Sequence, residues 1–491
     1  VRIRHNYGYV LCAVLALLSV TGCTVGPNYH KPDAPTAPAF KEDADVTPPP
    51  NPANGGWKRA QPGDDKLRGK WWEMYGDPQL NKLEETIAVS NQTLKAQYEQ
   101  YRAAVDIVRQ DRASYYPTLS LSPNAGRTKL SRNQPNFNAA TEQQQYNNFT
   151  AAGQASWEPD LWGNVRRTVE GARASAQASA ADLANVDLSL HSELAMDYFE
   201  MRGLDTQQQL LQTTVDEYQR YLELTQIRFK GGVATDSDVA QAQTQLDQTK
   251  AQLIDVGVAR AQYEHAIATL TGVPASTFSL ALAPLLLALP DVPVGVPSEI
   301  LERRPDVAGA ERRADAANAQ IGVAISAFYP TISLNGSGGF QSEHIGTLFQ
   351  GPSAVWGLGG SATELLFDAG RRKAVTDQAR AQYDSQVANY RQSVLQAFQD
   401  VEDQLAALRI LNQESLAQDL AVRDAERSLS ISTKRYKEGI TTYLEVITAQ
   451  ATELANQRTA ADITTRQFSS SVQLVKALGG GWDTTQLPTH P

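Results

Sequence analysis

The chain has 491 residues, 42% hydrophobic and 20% charged, with a formal net charge of −10 and a mean hydropathy of −0.38. That acidity argues against a nucleic-acid partner, whose phosphates demand basic surface. Outside the N-terminal leader no apolar run reaches the about 18 residues a membrane helix needs, and Cys12 and Cys23 are the only cysteines, so thiol and disulfide chemistry has little to work with.

In chain order, residues 1–22 read as a secretory leader. Arg2 and Arg4 precede a short apolar stretch from Val10 to Val20, and Val20-Thr21-Gly22-Cys23 has the small-residue cleavage pattern ending at a cysteine. This resembles a bacterial lipobox, which implies a covalent lipid on Cys23; Thr24 after it favours the outer membrane as the destination. Residues 23–70 form a polar, Pro-rich arm that reads as an extended linker.

Trp71-Trp72 begins the folded part, and Asp77-Pro78 is placed to open a helix over Gln79 to about Ser114, a span of roughly 54 Å. Alternation then predicts strands. Leu119 and Leu121 begin one, and Phe149-Ala151-Gly153-Ala155-Trp157 alternates with Asn148, Thr150, Gln154 and Ser156 in the other. From Asn164 to Lys230 there is no proline, and Leu211, Val215, Tyr218, Leu222, Thr225 and Phe229 step by three and four, a helical seam roughly 100 Å long. Gly231-Gly232 breaks it, and a shorter helix returns over Asp236–Leu270.

The pattern then repeats. Tyr115-Tyr116-Pro117-Thr118-Leu119-Ser120-Leu121 recurs as Phe328-Tyr329-Pro330-Thr331-Ile332-Ser333-Leu334, and Arg228-Phe229-Lys230-Gly231-Gly232 as Arg435-Tyr436-Lys437-Glu438-Gly439. A separation of roughly 210 residues is a duplicated unit, far longer than a solenoid module. The expected organisation is a first repeat at 71–283 with its strand hairpin at about 117–163, and a Pro-rich linker at 284–297. A second repeat at 298–478 with its hairpin at about 330–368 and a tail at 479–491 complete it. Each repeat is expected to carry one helix of roughly 100 Å and two of roughly 50 Å. Four strands cannot close a transmembrane barrel, for which about eight are needed, and an open edge is not tolerated in lipid. Either the strands lie outside the membrane, or several chains share one barrel.

Several stretches resemble the TolC-like outer-membrane efflux proteins, in the lipoprotein branch typified by OprM and NodT. They are Trp71-Trp72 with Asp77-Pro78-Gln79-Leu80, the run Leu301-Glu302-Arg303-Arg304-Pro305-Asp306-Val307, and the terminal Lys476-Ala477-Leu478-Gly479-Gly480-Gly481-Trp482. The resemblance implies a mainly α fold with β: a homotrimer whose 12-stranded outer-membrane barrel, four strands per chain, continues into a long periplasmic α-helical barrel. It further implies a passive exit duct with no catalytic residues, in an outer-membrane, lipid-anchored protein with most of its chain in the periplasm. The partners would be a periplasmic adaptor and an inner-membrane resistance-nodulation-division transporter. A type I protein-secretion exit channel shares this fold; a periplasmic coiled-coil or adaptor lipoprotein is the alternative from another class.

In such a duct the working residues are a gate and docking surfaces at the hairpin tips. Glu445, Asp236, Asp238 and Tyr436 are the gate candidates, since in a trimer each acid becomes a ring of three charges around a narrowing pore. Asp236 and Asp238 also sit in a first helical turn, where the helix dipole favours acids in any case. Thr448 and Thr441 stand where relatives carry a second acid and an arginine. Arg228, Lys230, Gly231, Arg435, Lys437 and Gly439 are candidate adaptor-docking residues, although cations and glycine also suit helix C-termini. The six histidines show no ligand spacing, so neither a metal site nor a cofactor beyond the lipid is expected.

Overall fold

The computed structural model describes residues 24–35, 37, 40–42, 69–131, 133, 145–290, 292, 300–482 and 484–488. The leader, Cys23, most of the Pro-rich arm and residues 291 and 293–297 of the inter-repeat linker lie outside the described residues.

Four strands form one antiparallel sheet in the order β1-β2-β3-β4: Thr118–Lys129, Gln145–Trp157, Thr331–Ser342 and Ala354–Thr363. The hairpins of the two repeats are joined through β2 and β3, with Gly153 opposite Gly338 and Trp157 opposite Leu334. Gly339 belongs to this junction: a Cβ there would stand 2.2 Å from the Ala151 carbonyl oxygen. β1 and β4 are left as unpaired edges within the chain.

The expectation of one long and two half-length helices per repeat, six in all, holds only in part. α1 (Pro78–Ser90), α2 (Gln92–Ala113), α3 (Asn164–Lys230) and α4 (Asp236–Leu270) make up the first repeat; α5 (Pro305–Ser326), α6 (Arg371–Lys437) and α7 (Tyr443–Ala477) make up the second. α3 and α6 have 67 residues each, roughly 100 Å. Each long helix starts from a left-handed glycine, Gly163 (φ 83°) or Gly370 (φ 87°). An aspartate just upstream, Asp160 or Asp368, accepts from first-turn amides and pairs with Arg166 or Arg372.

The single helix expected over 79–114 is two. Asn91 ends α1 and caps α2, accepting from the Leu94 amide at 2.9 Å while donating to the Leu270 carbonyl at 2.8 Å. Ser90 donates to the Thr271 carbonyl, and Gly272 (φ 71°) lies so close that a Cβ would meet Ser90 O at 2.4 Å. The break is therefore a socket for the end of α4. In the second repeat α5 has only 22 residues, roughly 33 Å, and only a four-residue helix, Ile300–Arg303, precedes it where α1 precedes α2.

Near the strands α3 packs between α2 and α5, and α5 in turn against α6; towards the far end α3 pairs with α4 and α6 with α7, which also touches α3. The largest core lies midway, where Trp71, Tyr75, Leu80 and Ile87 meet Tyr198, Phe199, Ile267 and Phe468. The Glu302–Val307 run explains itself here. Arg304 holds Asp306 through two bonds, Asp400 of α6 at 2.9 Å and the carbonyl of Ala477 at the end of α7. The two sequence stretches at 301–307 and 476–482 thus meet across one junction, with Gly479 (φ 93°) against the Arg303 carbonyl.

The arm is not wholly a free linker. Arg167, itself buried, donates to the carbonyls of Val25 and Gly26 and to Asn28. Tyr29 donates to Glu311 of α5, Arg391 of α6 to the Asp33 carbonyl, and the carboxylate of Glu402 accepts from the amides of Lys41 and Glu42. Phe40, 4% exposed, enters the core formed by Tyr390, Val394, Ala397 and Leu474. Composition suggested a spacer because the prolines dominate; one aromatic residue and a row of backbone hydrogen bonds dock it instead.

Candidate channel wall and gate

The sheet has two unlike faces. Register places Leu119, Leu121, Trp157, Leu334, Trp356 and Leu358 on one face, and Ser120, Thr150, Gln154, Asn335, Ser337 and Ser361 on the other. Leu119, Leu121, Trp356 and Leu358 are each more than 70% exposed. A contiguous apolar face with no cover is a lipid-facing surface, and the hydroxyl and amide face is the wet one. β2, β3 and β4 carry no charged residue, and β1 carries Arg127 and Lys129 only at its far end. Strands of 10 to 13 residues match the length a tilted membrane strand requires. Among the described residues no helix is long and apolar enough to cross a membrane, so the strands are the only described elements suited to it.

The repeated Tyr-Tyr-Pro and Phe-Tyr-Pro motifs sit where β1 and β3 begin. Trp162 stacks on Tyr329 at 5.0 Å and donates to the Pro330 carbonyl, Trp157 donates to the Tyr115 carbonyl, and Arg372 covers the Phe328 ring. Half-exposed aromatic rings at the foot of the apolar band form an interfacial girdle. The Val25 amide bonds the Trp162 carbonyl at 3.2 Å, which places the first described residues at this level.

About 100 Å away, α3–α4 and α6–α7 end in matching tips. In each, the amide five residues beyond reaches back to an arginine carbonyl, Val233 to Arg228 and Ile440 to Arg435. The left-handed turn positions are Gly232 (φ 72°) and Gly439 (φ 77°). Gly231 keeps an ordinary helical φ of −79°, so of the two adjacent glycines it is Gly232 that the turn demands.

The gate candidates are not gathered in one cluster. Tyr436 is 4% exposed, its ring 5.2 Å from that of Tyr443, in a tip core with Tyr218, Leu222, Leu246 and Val446. Glu445 is exposed and faces Arg435 of its own hairpin at 4.0 Å, a surface pair of little energetic weight. Asp238 is engaged in a capping box, accepting from the Thr235 amide at 2.8 Å while its own amide donates to Thr235 Oγ1. That bonding gives Asp238 a structural role at the start of α4 beyond the helix-dipole preference read from the sequence, whereas Asp236 stays exposed. Lys230, Arg435 and Lys437 are exposed cations, as a docking surface requires. Arg228 is turned inward instead: its guanidinium lies 4.6 Å from the centre of the Tyr436 ring and donates to the Lys437 carbonyl at 3.1 Å. Phe229, expected in the seam, is exposed because the seam ends one turn earlier at Thr225. What the sequence reading missed was Arg228's contact across the two tips, for which no local signal exists. Cys23 lies outside the described residues.

Comparison with known proteins agrees with this geometry. The model of the outer membrane efflux protein family matches residues 83–273 and 296–480. The pyoverdine export outer membrane protein OpmQ of Pseudomonas aeruginosa is 31% identical over 416 residues, covering 84% of this chain and 87% of that protein. The toluene efflux pump outer membrane protein TtgI of Pseudomonas putida is 31% identical over 482 residues, 96% and 98% of the two chains. Among solved structures, the outer-membrane channel OprN superposes with a TM-score of 0.84 at 27% identity, covering 94% of this chain and all of that one. The open state of the Neisseria gonorrhoeae MtrE outer membrane channel gives 0.80 at 28% identity, covering 94% and 98%. The fold class is that of the homotrimeric outer-membrane factor, in which each chain gives four strands to a 12-stranded barrel continuous with a helical one. The chain belongs to the outer membrane efflux protein family and is the outer-membrane channel component of an efflux pump.

Proposed function

We propose that three copies of this chain form a passive exit duct for small toxic organic compounds, joined through a periplasmic adaptor to an inner-membrane resistance-nodulation-division transporter. The observation that carries the reading is the four-stranded wall with an apolar face, an uncharged polar face and two open edges. Such a wall is complete only when β1 of one copy meets β4 of the next. Relatives named for toluene and for pyoverdine support export of small molecules. The exposed Lys230, Arg435 and Lys437 beside Gly439 are the proposed docking residues, and Glu445, Asp236 and Tyr436 the gate.

A lipid on Cys23 would enter the bilayer beside the aromatic girdle, since the residues just after it are tied to Trp162 and Arg167. The test is direct. Purified full-length protein in detergent should run as a trimer, give discrete conductances in planar bilayers, and show an acyl mass increment lost in C23S. A deletion strain should become hypersensitive to organic solvents and antibiotics. A non-conducting monomer sinks the reading.

A further inference from the structure

We infer that the outer rim of each four-stranded wall binds the phosphate groups of the outer-leaflet glycolipid through Arg127 and Lys129. The site depends on the barrel placement of the sheet and not on what passes through the channel. Every connection to a helix leaves from one end of the sheet, so the hairpin ends, where β1 stops at Lys129 and β4 starts at Ala354, face the cell exterior. Arg127 and Lys129 are the only charged residues in the four strands, and both are exposed. They stand an even number of positions from Leu119 and Leu121, so the pleat turns them outward on the lipid face. Lys129 lies ten residues beyond Leu119. At about 3.3 Å per residue and a tilt of about 40°, that is roughly 25 Å of height, the full thickness of an apolar band. The two cations therefore emerge where the hydrocarbon ends and the headgroups begin, on stems long enough to reach up into them.

The surroundings leave the charge unspent. Arg127 donates to Gln145 Oε1 on the same face at 3.4 Å, and among the described residues neither cation has an ion-pair partner. Just below, the lipid face turns aromatic. Phe149 stands opposite Ala125, and Phe340 opposite Ala151. Phe349 of the β3–β4 loop, 72% exposed, meets Phe340 edge-on at 5.5 Å. A bond between the Ser342 and Thr347 hydroxyls at 2.7 Å and the buried Leu348 fix that loop. Rings at this depth mark the outer interface, as the Trp162–Tyr329 pair marks the inner one. When β1 of one copy meets β4 of the next, the loop of that next copy comes beside Arg127 and Lys129. A guanidinium fork next to an ammonium point charge is a pairing suited to phosphate. Three copies give the rim six cations with no strand carboxylate to offset them. Phospholipid of the inner leaflet lies at the other end of the strands, so depth selects the phosphorylated glycolipid of the outer leaflet.

The experiment is native mass spectrometry of the detergent-solubilised full-length trimer, titrated with bis-phosphorylated lipid A or with the same lipid stripped of phosphate. A chelator is present, so that no divalent cation bridges lipid to protein. The parent should retain the phosphorylated lipid, and R127Q/K129Q should bind it roughly tenfold more weakly, the order expected when two cations leave an anionic surface. R127K/K129R should bind nearly as the parent does. Adding T128K to R127Q/K129Q returns a cation to the rim on the polar face and should leave binding weak. Equal binding by the parent and R127Q/K129Q overturns the site, as does equal retention of the phosphate-free lipid by the parent or full recovery with T128K. If R127Q/K129Q fails to assemble, the single variants decide: parent-like binding by both R127Q and K129Q overturns the site. A parent that is monomeric removes the barrel reading itself, whereas a trimeric parent with an indifferent R127Q/K129Q removes only the phosphate site.

Discussion

Trp72 stacks on the imidazole of His191 at 4.4 Å and 12°, and that ring bonds Glu84, a fully buried carboxylate, at 2.6 Å. Burial pulls the imidazole towards neutrality, but hydrogen bonds to Asp187 and Glu84 outweigh it and hold His191 up at about 9. Burial likewise pushes Glu84 up, to about 7, against the pull of His191. Both shifts are upward, so both slopes have the same sign: stability falls as pH rises, between 4.5 and about 7 through Glu84 and between 6.5 and about 9 through His191. The stabilisation from His191 is fully present below its ordinary value of 6.5 and disappears as pH rises through about 9. Thermal unfolding of the purified protein should therefore fall between about pH 7 and 9.5, and less so in H191N. H191A strands Glu84 in an apolar site and should cost about 3–5 kcal/mol, of which the double variant H191A/E84L should recover a large part.

At the scale of elements, the strand glycines separate by what surrounds them. Gly339 faces the Ala151 carbonyl, while a Cβ on neighbouring Gly338 meets nothing within 4 Å. G339A should disrupt the β2–β3 junction and lower the yield of assembled trimer, with G338A as the matched variant that assembles normally; heat-resistance of the trimer on a gel reads both. The docked arm gives a second prediction. F40A removes a buried ring from the α6–α7 core and should cost about 3 kcal/mol, and limited proteolysis should then cut the arm near residue 40 before the helices. The long helices, their returns and the strands were legible from periodicity because each is defined by side chains three, four or two apart. The break at Asn91 was not, since an Asn inside a helical pattern looks the same whether or not another helix end docks on it.

On the scale of the whole molecule, the order of helices α2, α3, α5 and α6 near the membrane follows that of the strands, leaving α2 with β1 and α6 with β4 as the two open sides. Closure must join unlike edges, which is a head-to-tail contact and makes a ring. Single cysteines on β1 (Ser120 or Ser122) and β4 (Gly359 or Ser361), combined in one chain, should yield covalent dimers and trimers on oxidation. Ladders beyond three subunits would contradict a closed 12-stranded barrel.

The sequence by itself determined the duplicated unit, the two-faced strands, the length of the long helices and the choice between strands outside the membrane and a barrel shared by several chains. All of these follow from local periodicity or from the rule that lipid tolerates no unpaired backbone edge. The tertiary structure decided what periodicity cannot encode: that β2 pairs with β3, that Arg304 binds three separate elements, that Phe40 docks the arm, and that Arg228 reaches Tyr436. Those contacts join residues distant in sequence, and nothing in a side chain's local pattern names the partner that folding will bring to it.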